Sequence, residues 1–258
     1  MTRELEVAIA AAKAAGEVLR RGFGRDHNVR YKGEVDLVTE ADERAEQEIK
    51  EILQEAFPTY EILTEESGRL EGEGEARWIV DPLDGTTNYA HELPIFATSI
   101  ALEREGELVL GVVHDPMAEE TYTAERGGSA TLNGQSIRVS DTDELIRALL
   151  ATGFPYDRED IQPTLDLFGR FVVLTQSIRR LGSAALDLCY VAAGRLDGYY
   201  ERDVWPWDIA AGALILKEAG GKVTDYQGRK LDLEGGEIVA SNGRLHPSLI
   251  SVTSGNHS

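Results

Sequence analysis

Two carboxylates stand three residues apart in Asp81-Pro82-Leu83-Asp84-Gly85-Thr86-Thr87, directly after the apolar run Trp78-Ile79-Val80. A hard divalent cation needs clustered oxygen ligands on a firm support. A phosphate needs cations together with N–H donors. This segment offers carboxylates, a hydroxyl and backbone N–H groups side by side. A second acidic pair, Glu65-Glu66, follows the short run Glu61-Ile62-Leu63. Acids crowded together repel unless cations neutralise them. Pro, Asp and Gly also build plain turns, so spacing alone leaves a metal site and an ordinary turn at a strand end both open.

Two more acids sit where helices should begin. Asp208 lies in Trp205-Pro206-Trp207-Asp208-Ile209-Ala210-Ala211-Gly212, at the first turn, where a negative charge is favourable whatever else it does. Thr39-Glu40-Ala41-Asp42 has the form of a capping box, which would make Asp42 structural. Lys32 could meet a phosphate or point into water. Gly-x-Ser-x-Gly and Walker-type loops do not occur. Gly72-Glu73-Gly74 is acidic, hence wrong for cradling phosphate. The histidines, His27, His91, His114, His246 and His257, lack zinc spacing and read as surface or core residues.

The elements that must position these groups follow from periodicity. An amphipathic helix is expected from Glu4 to Phe23, with Leu5, Ile9, Ala12 and Leu19 on one side. A second runs from Thr39 to Ala56, followed by Pro58. Glu61–Leu63 and Trp78–Val80 read as strands, with an acidic, mobile loop, residues 65–77, between them. Ala97–Glu103, Leu108–His114 and Thr121–Glu125 read as successive antiparallel strands, and Asn133-Gly134 as a hairpin turn. After about Ala148 strands and helices alternate: strands at 149–152, 198–201, 223–225 and 238–240, and helices at 161–175, 184–193 and 207–219. The order suggests an α+β half, 1–141, and an α/β half, 142–258, joined near Asp141 as one packed unit.

Composition narrows the functional classes. With 258 residues the chain can bury a real core, and 42% hydrophobic and 28% charged residues are ordinary for a globular protein. A net charge of −20 disfavours direct nucleic-acid binding, which needs a basic footprint. It fits equally a solvated acidic surface or adaptation to salt or heat. No apolar run approaches the ~18–20 residues of a membrane helix, and the start lacks the form of a signal peptide. A single cysteine, Cys189, excludes an intrachain disulfide, fits a reducing cytoplasm, and reads as a small core residue.

Taken together, the motifs resemble the inositol monophosphatase family of magnesium-dependent, lithium-sensitive phosphatases. The matching stretches are Val35-Asp36-Leu37-Val38-Thr39 with Asp42, Glu65-Glu66-Ser67, Asp81 to Asn88, and Trp207 to Gly212; Thr152-Gly153-Phe154-Pro155 and Arg179 to Ala184 look like bacterial members. Thr64 stands where many relatives carry Gly. The resemblance spans nearly the whole chain. It implies a layered αβαβα sandwich of the inositol monophosphatase and fructose-1,6-bisphosphatase type, and a homodimer. It implies two to three Mg²⁺ per subunit: Glu65, Asp81 and the Leu83 carbonyl on the first, Asp81, Asp84 and Asp208 on the second, and Glu65 toward a third. It further implies that Asp42 and Thr86 orient the attacking water, and that backbone at Asp84, Gly85 and Thr86 holds phosphate. Gly182, Ser183, Ala184, Glu201 and Arg179 would face the alcohol. The expected reaction is hydrolysis of myo-inositol monophosphate. Histidinol phosphate, fructose 1,6-bisphosphate and nucleotide bisphosphates are the alternatives on the same scaffold, and a protein partner of the transcription machinery is the alternative of a different class.

Overall fold

The computed structural model describes residues 1–25, 30–31, 37–74, 76–155 and 161–255. Lys32 and the Val35-Asp36 start of the first motif lie outside them. In the first half, α1 (Arg3–Gly22) is capped by Thr2, whose Oγ1 accepts from the Leu5 N–H, and buries Leu5, Ala8, Ala12, Ala15 and Leu19. After the short pair β1 (Arg30–Tyr31) and β2 (Leu37–Val38) comes α2 (Glu40–Ala56), burying Ala45, Ile49 and Leu53 against α1. Then follow β3 (Glu61–Thr64), β4 (Gly68–Leu70), β5 (Ala76–Asp84), α3 (Thr86–Ala90), β6 (Ala97–Arg104), β7 (Glu107–Asp115), β8 (Glu120–Glu125), β9 (Thr131–Leu132) and β10 (Gln135–Ser136). Asn133 and Gly134 both take positive φ, the geometry of the tight turn that joins β9 to β10.

The second half holds β11 (Leu149–Thr152), α4 (Gln162–Leu174), β12 (Ser177–Arg179), α5 (Ala184–Ala192), β13 (Gly198–Arg202), α6 (Pro206–Glu218), β14 (Lys222–Thr224), β15 (Glu237–Ser241) and α7 (His246–Thr253). Eight strands form one sheet in the order β10-β9-β8-β7-β6-β5-β3-β4, and five form a second, β12-β11-β13-β15-β14. Period-two alternation assigns each sheet two buried faces. On β5, Trp78 and Val80 pack under α1 and α2, while Ile79 faces α5 and α6. On β13, Tyr199 faces that same helix layer, and Tyr200 packs with Phe171 and Leu249 of α4 and α7. The result is five layers, helix–sheet–helix–sheet–helix, as the motifs imply.

Three segments depart from the sequence reading. The expected loop 65–77 contains β4, paired antiparallel with β3 from Ile62↔Leu70 to Thr64↔Gly68. Its turn is closed by local bonds: Thr64 Oγ1 lies 3.1 Å from Ser67 Oγ, and Gly68 supplies the positive φ. The short elements α3, β12 and α7 were not expected; each is too brief to show a period. Finally, β5 does not end at Val80 but runs on to Asp84.

Glycine lets α6 lie directly on the large sheet. A Cβ on Gly111 of β7 would meet the Ala211 carbonyl oxygen at 2.7 Å and its Cα at 3.0 Å. Gly111→Ala is therefore expected to destabilise by about 1–3 kcal/mol through overpacking. Urea unfolding should show a lower midpoint at unchanged slope. Stability indistinguishable from the parent would show that α6 can lift without cost.

Candidate active site

The first motif is a strand with a defect, not a tight turn at a strand end. β5 pairs with β6 through Asp81↔Ser99, and pairing resumes at Asp84↔Ala97 after a register shift. Pro82 cannot donate to a ladder, which confines it to such irregular places. The irregularity turns Asp81 back on its own chain: the Leu83 N–H donates to Asp81 Oδ1 at 2.9 Å. Gly85 then reverses the backbone at φ +101, where a Cβ would also meet the Ile95 carbonyl at 2.9 Å. Asp81 and Asp84 are buried side chains on a strand flanked on both sides, by β6 and β3.

Thr86, at the start of α3, connects this strand to α2. Its Oγ1 lies 3.0 Å from both Asp42 Oδ1 and the Leu83 carbonyl, either of which can accept its proton. Asp42 is held at its other oxygen by the Thr39 N–H at 2.8 Å and the Thr39 hydroxyl at 2.5 Å. The capping box thus exists, and it fixes Asp42 with one oxygen left for Thr86. Glu65 arrives by register: β3 runs parallel to β5 with Thr64↔Val80 paired, which places Glu65 beside Asp81. The turn after it is fixed by Glu46 of α2, which accepts from the Glu66 and Ser67 N–H groups at 3.2 and 3.3 Å.

The second half closes the site. Ser183 Oγ donates to Asp84 Oδ2 at 2.6 Å, and the Ala185 N–H donates to the same oxygen at 2.8 Å. Asp208 caps α6 by accepting from the Trp205 N–H at 2.7 Å. Between these helices opens a cavity of about 260 Å³. Glu65, Asp81, Leu83, Asp84, Gly85, Thr86, Gly182, Ser183, Ala184, Glu201 and Asp208 all line it. Asp42 stands behind Thr86. Arg179 does not line it: its guanidinium donates to Ser177 Oγ and the Ile178 carbonyl, out in solvent. Strand alternation explains the miss, because its neighbour Arg180 points the other way and does line the cavity.

Sequence reasoning also passed over Gly153, Asp187 and Trp205, which share the lining. Asp187 is buried in the first turn of α5, and its Oδ1 has no hydrogen-bond partner. An acid inside the apolar string Ala184–Ala192 could have drawn notice. Trp205 is 60% exposed and stacks on Trp207 with ring centroids 5.5 Å apart. His114 and His246 are buried in hydrogen bonds to Thr and Ser hydroxyls, and Cys189 is a buried core thiol, as the sequence suggested. His27 and His257 lie outside the described residues.

Electrostatics sets this cavity apart. Burial, then the charges of Glu65, Asp84 and Asp208, hold Asp81 well above the usual carboxylate range. Burial raises Asp84 to about 6 against the opposing bonds from Ser183 and Ala185. Asp208 is raised by burial and then by Asp84. Burial lifts Glu201 to about 7, partly offset by the bond from Tyr199 and the charge of Arg180. Asp187 is raised by burial, then by Glu201. Like charges this close, in hard-oxygen donors with a backbone carbonyl among them, fit a site for divalent cations. Among the described residues no three carboxylate, imidazole or thiol groups are already drawn into one ligand cluster. Asp81, Asp84 and Asp208 each commit one oxygen to a backbone or hydroxyl donor instead.

A bulged strand of acids thus faces two capped helices across the cavity of a five-layer sandwich, the frame of a phosphoric monoester hydrolase. The chain belongs to the inositol monophosphatase family, whose model matches residues 1–258. It is 47% identical over 252 residues to the inositol-1-monophosphatase of Rhizobium meliloti, covering 96% of this chain and 95% of that one. It is 46% identical over 256 residues to the Nus factor SuhB of Pseudomonas aeruginosa, with 96% and 94% covered. The solved extragenic suppressor protein suhB of Bartonella henselae superposes with a TM-score of 0.96 at 40% identity, over 99% of this chain and all of that one.

The raised acids make stability fall with pH. Glu201 binds its proton more tightly folded, at about 7, than an ordinary glutamate at 4.5. Its contribution is present below that ordinary value and lost as pH rises through 7. His114 and His246, depressed by burial, act oppositely, but only below the ordinary imidazole value of 6.5. Relative to Glu201→Gln, the metal-free protein should therefore lose melting temperature between about pH 4.5 and 7, the two histidines being common to both. Parallel curves for the two proteins would remove Glu201 as a source of the slope.

Proposed function

We propose that the protein hydrolyses a small phosphomonoester with Mg²⁺, and that its substrate is myo-inositol monophosphate. The observation that carries this reading is the gathering of Glu65, Asp81, Leu83, Asp84, Asp208 and Glu201 around one cavity. The relative named inositol-1-monophosphatase supports the choice of alcohol. Two to three Mg²⁺ held by the first five of these residues would polarise the phosphate and neutralise its developing charge.

The chain's own groups do the positioning. Asp42, fixed by Thr39, keeps the Thr86 hydroxyl pointed at itself, so that the lone pairs of Thr86 Oγ1 are free to accept a hydrogen bond from the attacking water and orient it. Backbone N–H groups at Gly85 and Thr86 face the phosphate oxygens. Gly182, Ser183 and Ala184 pack the alcohol, and Glu201 accepts its hydroxyls. Burial in the cavity makes these bonds count for more than they would in water. Water attacks phosphorus directly, so the chain forms no covalent intermediate.

Exposed apolar residues on α4, among them Val172 at 48% and Val173 at 74%, support a homodimer. A lone buried cysteine supports a cytoplasmic setting, and no helix among the described residues is long and apolar enough to cross a membrane. Relatives named Nus factor SuhB support a second reading, as a protein partner of the transcription machinery. Capture of RNA polymerase by a chain without turnover would favour it.

The deciding experiment is phosphate release with Mg²⁺ and with EDTA across inositol 1-phosphate, histidinol phosphate, fructose 1,6-bisphosphate, a nucleotide bisphosphate and an aryl phosphate. Inositol 1-phosphate is expected to give the highest kcat/KM, and EDTA to abolish release. A different best substrate would overturn the choice of alcohol; full activity in EDTA would overturn the dependence on Mg²⁺, and no release from any of them would overturn the reaction. Asp84→Asn keeps an oxygen for Ser183 and Ala185 but removes the charge. It should lower kcat by roughly 100-fold or more while the melting temperature of the metal-free protein holds or rises. Near-normal turnover would sink the role of Asp84.

A further inference from the structure

We propose that Gly153 is a specificity-determining position, because its missing side chain is the seat of the Glu201 carboxylate. The proposal deepens the reading of Glu201 as the acceptor for the alcohol and rests on it. The geometry begins in the small sheet. β11 and β13 run parallel with Ala151↔Tyr199 and Thr152↔Tyr200 paired, so the next step of each strand brings Gly153 beside Glu201. Thr152 locks that end by donating its hydroxyl to the Tyr200 carbonyl at 2.7 Å. Ala151, Gly153, Tyr199 and Glu201 thus point to one face, the one under α5 and α6.

On that face the Tyr199 hydroxyl donates to Glu201 Oε2, and the carboxylate lies flat on the Gly153 backbone. A Cβ on Gly153 would overlap both carboxylate oxygens and the carbon between them, closer than real Cβ atoms come to anything. Both residues line the cavity. No positive φ accounts for this glycine; what it provides is room. Any side chain at 153 would take the place of the Glu201 carboxylate and break its bond to Tyr199. Gly153 acts only through Glu201 and is a positioning residue. The atoms nearest a side chain at 153 all belong to Glu201 and to no group that would hold phosphate, so the phosphate half of the site should be indifferent to it.

The test is a double-mutant cycle of Gly153→Ala and Glu201→Ala, each assayed on the best polyol or alkyl substrate of the panel and on an aryl phosphate. Gly153→Ala should lower kcat/KM for the former about 10-fold or more, since loss of one charge-assisted bond is worth at least that. The aryl phosphate should change less than about 3-fold. In the Glu201→Ala background, adding Gly153→Ala should change neither, because the clash has no partner. Additive losses, or equal losses on both substrates, would overturn the proposal. So would a Glu201→Ala single mutant with unaltered selectivity. If Gly153→Ala fails to fold, the double mutant should fold, and its failure to do so would equally overturn it. A best substrate other than inositol phosphate would overturn the choice of alcohol and leave the coupling of Gly153 to Glu201 readable on that substrate.

Discussion

One carboxylate joins the halves of this molecule. Asp84 ends the longest irregular strand of the large sheet, and its Oδ2 accepts from Ser183 and Ala185 at the start of α5, which belongs to the second half. Asn88, four residues on, repeats the tie by donating to the Leu181 carbonyl at 2.8 Å. Ser99 repeats it again through the Trp207 carbonyl. The cavity exists because these bonds draw α5 and α6 up to the β5 irregularity. An acid at a helix N-terminus is electrostatically favourable, and here that small gain also ties the start of α5 to β5 across the cavity.

The same constraint makes the site costly. Glu65, Asp84 and Asp208 raise the proton affinity of Asp81, Asp84 and Glu65 raise that of Asp208, and Asp187 is buried with an oxygen that no donor among the described residues satisfies. Buried like charges oppose folding unless something neutralises them. The protein tolerates this because the surroundings are over-determined. Trp78, Val80 and Ile100 are fully buried under two long helices, and Ile79 and Ala101 under two more. Strain of this kind, confined to one cavity and surrounded by dense core, is what a functional site looks like energetically.

The sequence carried the large elements and the acids, for different reasons. α1 and α2 have long apolar periods, and α2 and α6 open on caps, so their existence could be read. The acids stood out by type and spacing. What could not be read was geometry. Pro82 and Gly85 looked like a turn because turn residues and bulge residues are the same residues; only the partner strand β6 decides that pairing resumes at Asp84. Arg179 was taken for Arg180 because one step along a strand reverses the side chain, and a three-residue strand shows no period. Thr39–Asp42 was read both as a cap and as part of the site, and the structure shows that the two are one arrangement. A cap uses one carboxylate oxygen, and the other remains for Thr86.

The role of Gly153 was illegible for a deeper reason. A glycine after a short strand is not unusual locally, and this one matters only because β11 and β13 bring it beside Glu201 at the cavity. That side of the cavity is built by the second half, while nearly all the acids that face the phosphate come from the first. On the proposed assignment, a change at 153, 187 or 201 would alter what lies against the alcohol without moving β5, since these residues hang on strands and helices fixed by their own cores. A change at 81, 84 or 86 alters the groups that every substrate would share. The fold therefore separates reaction from selectivity along the line where Asp84 joins the halves, and one scaffold can serve different phosphomonoesters by varying only the far side of that line.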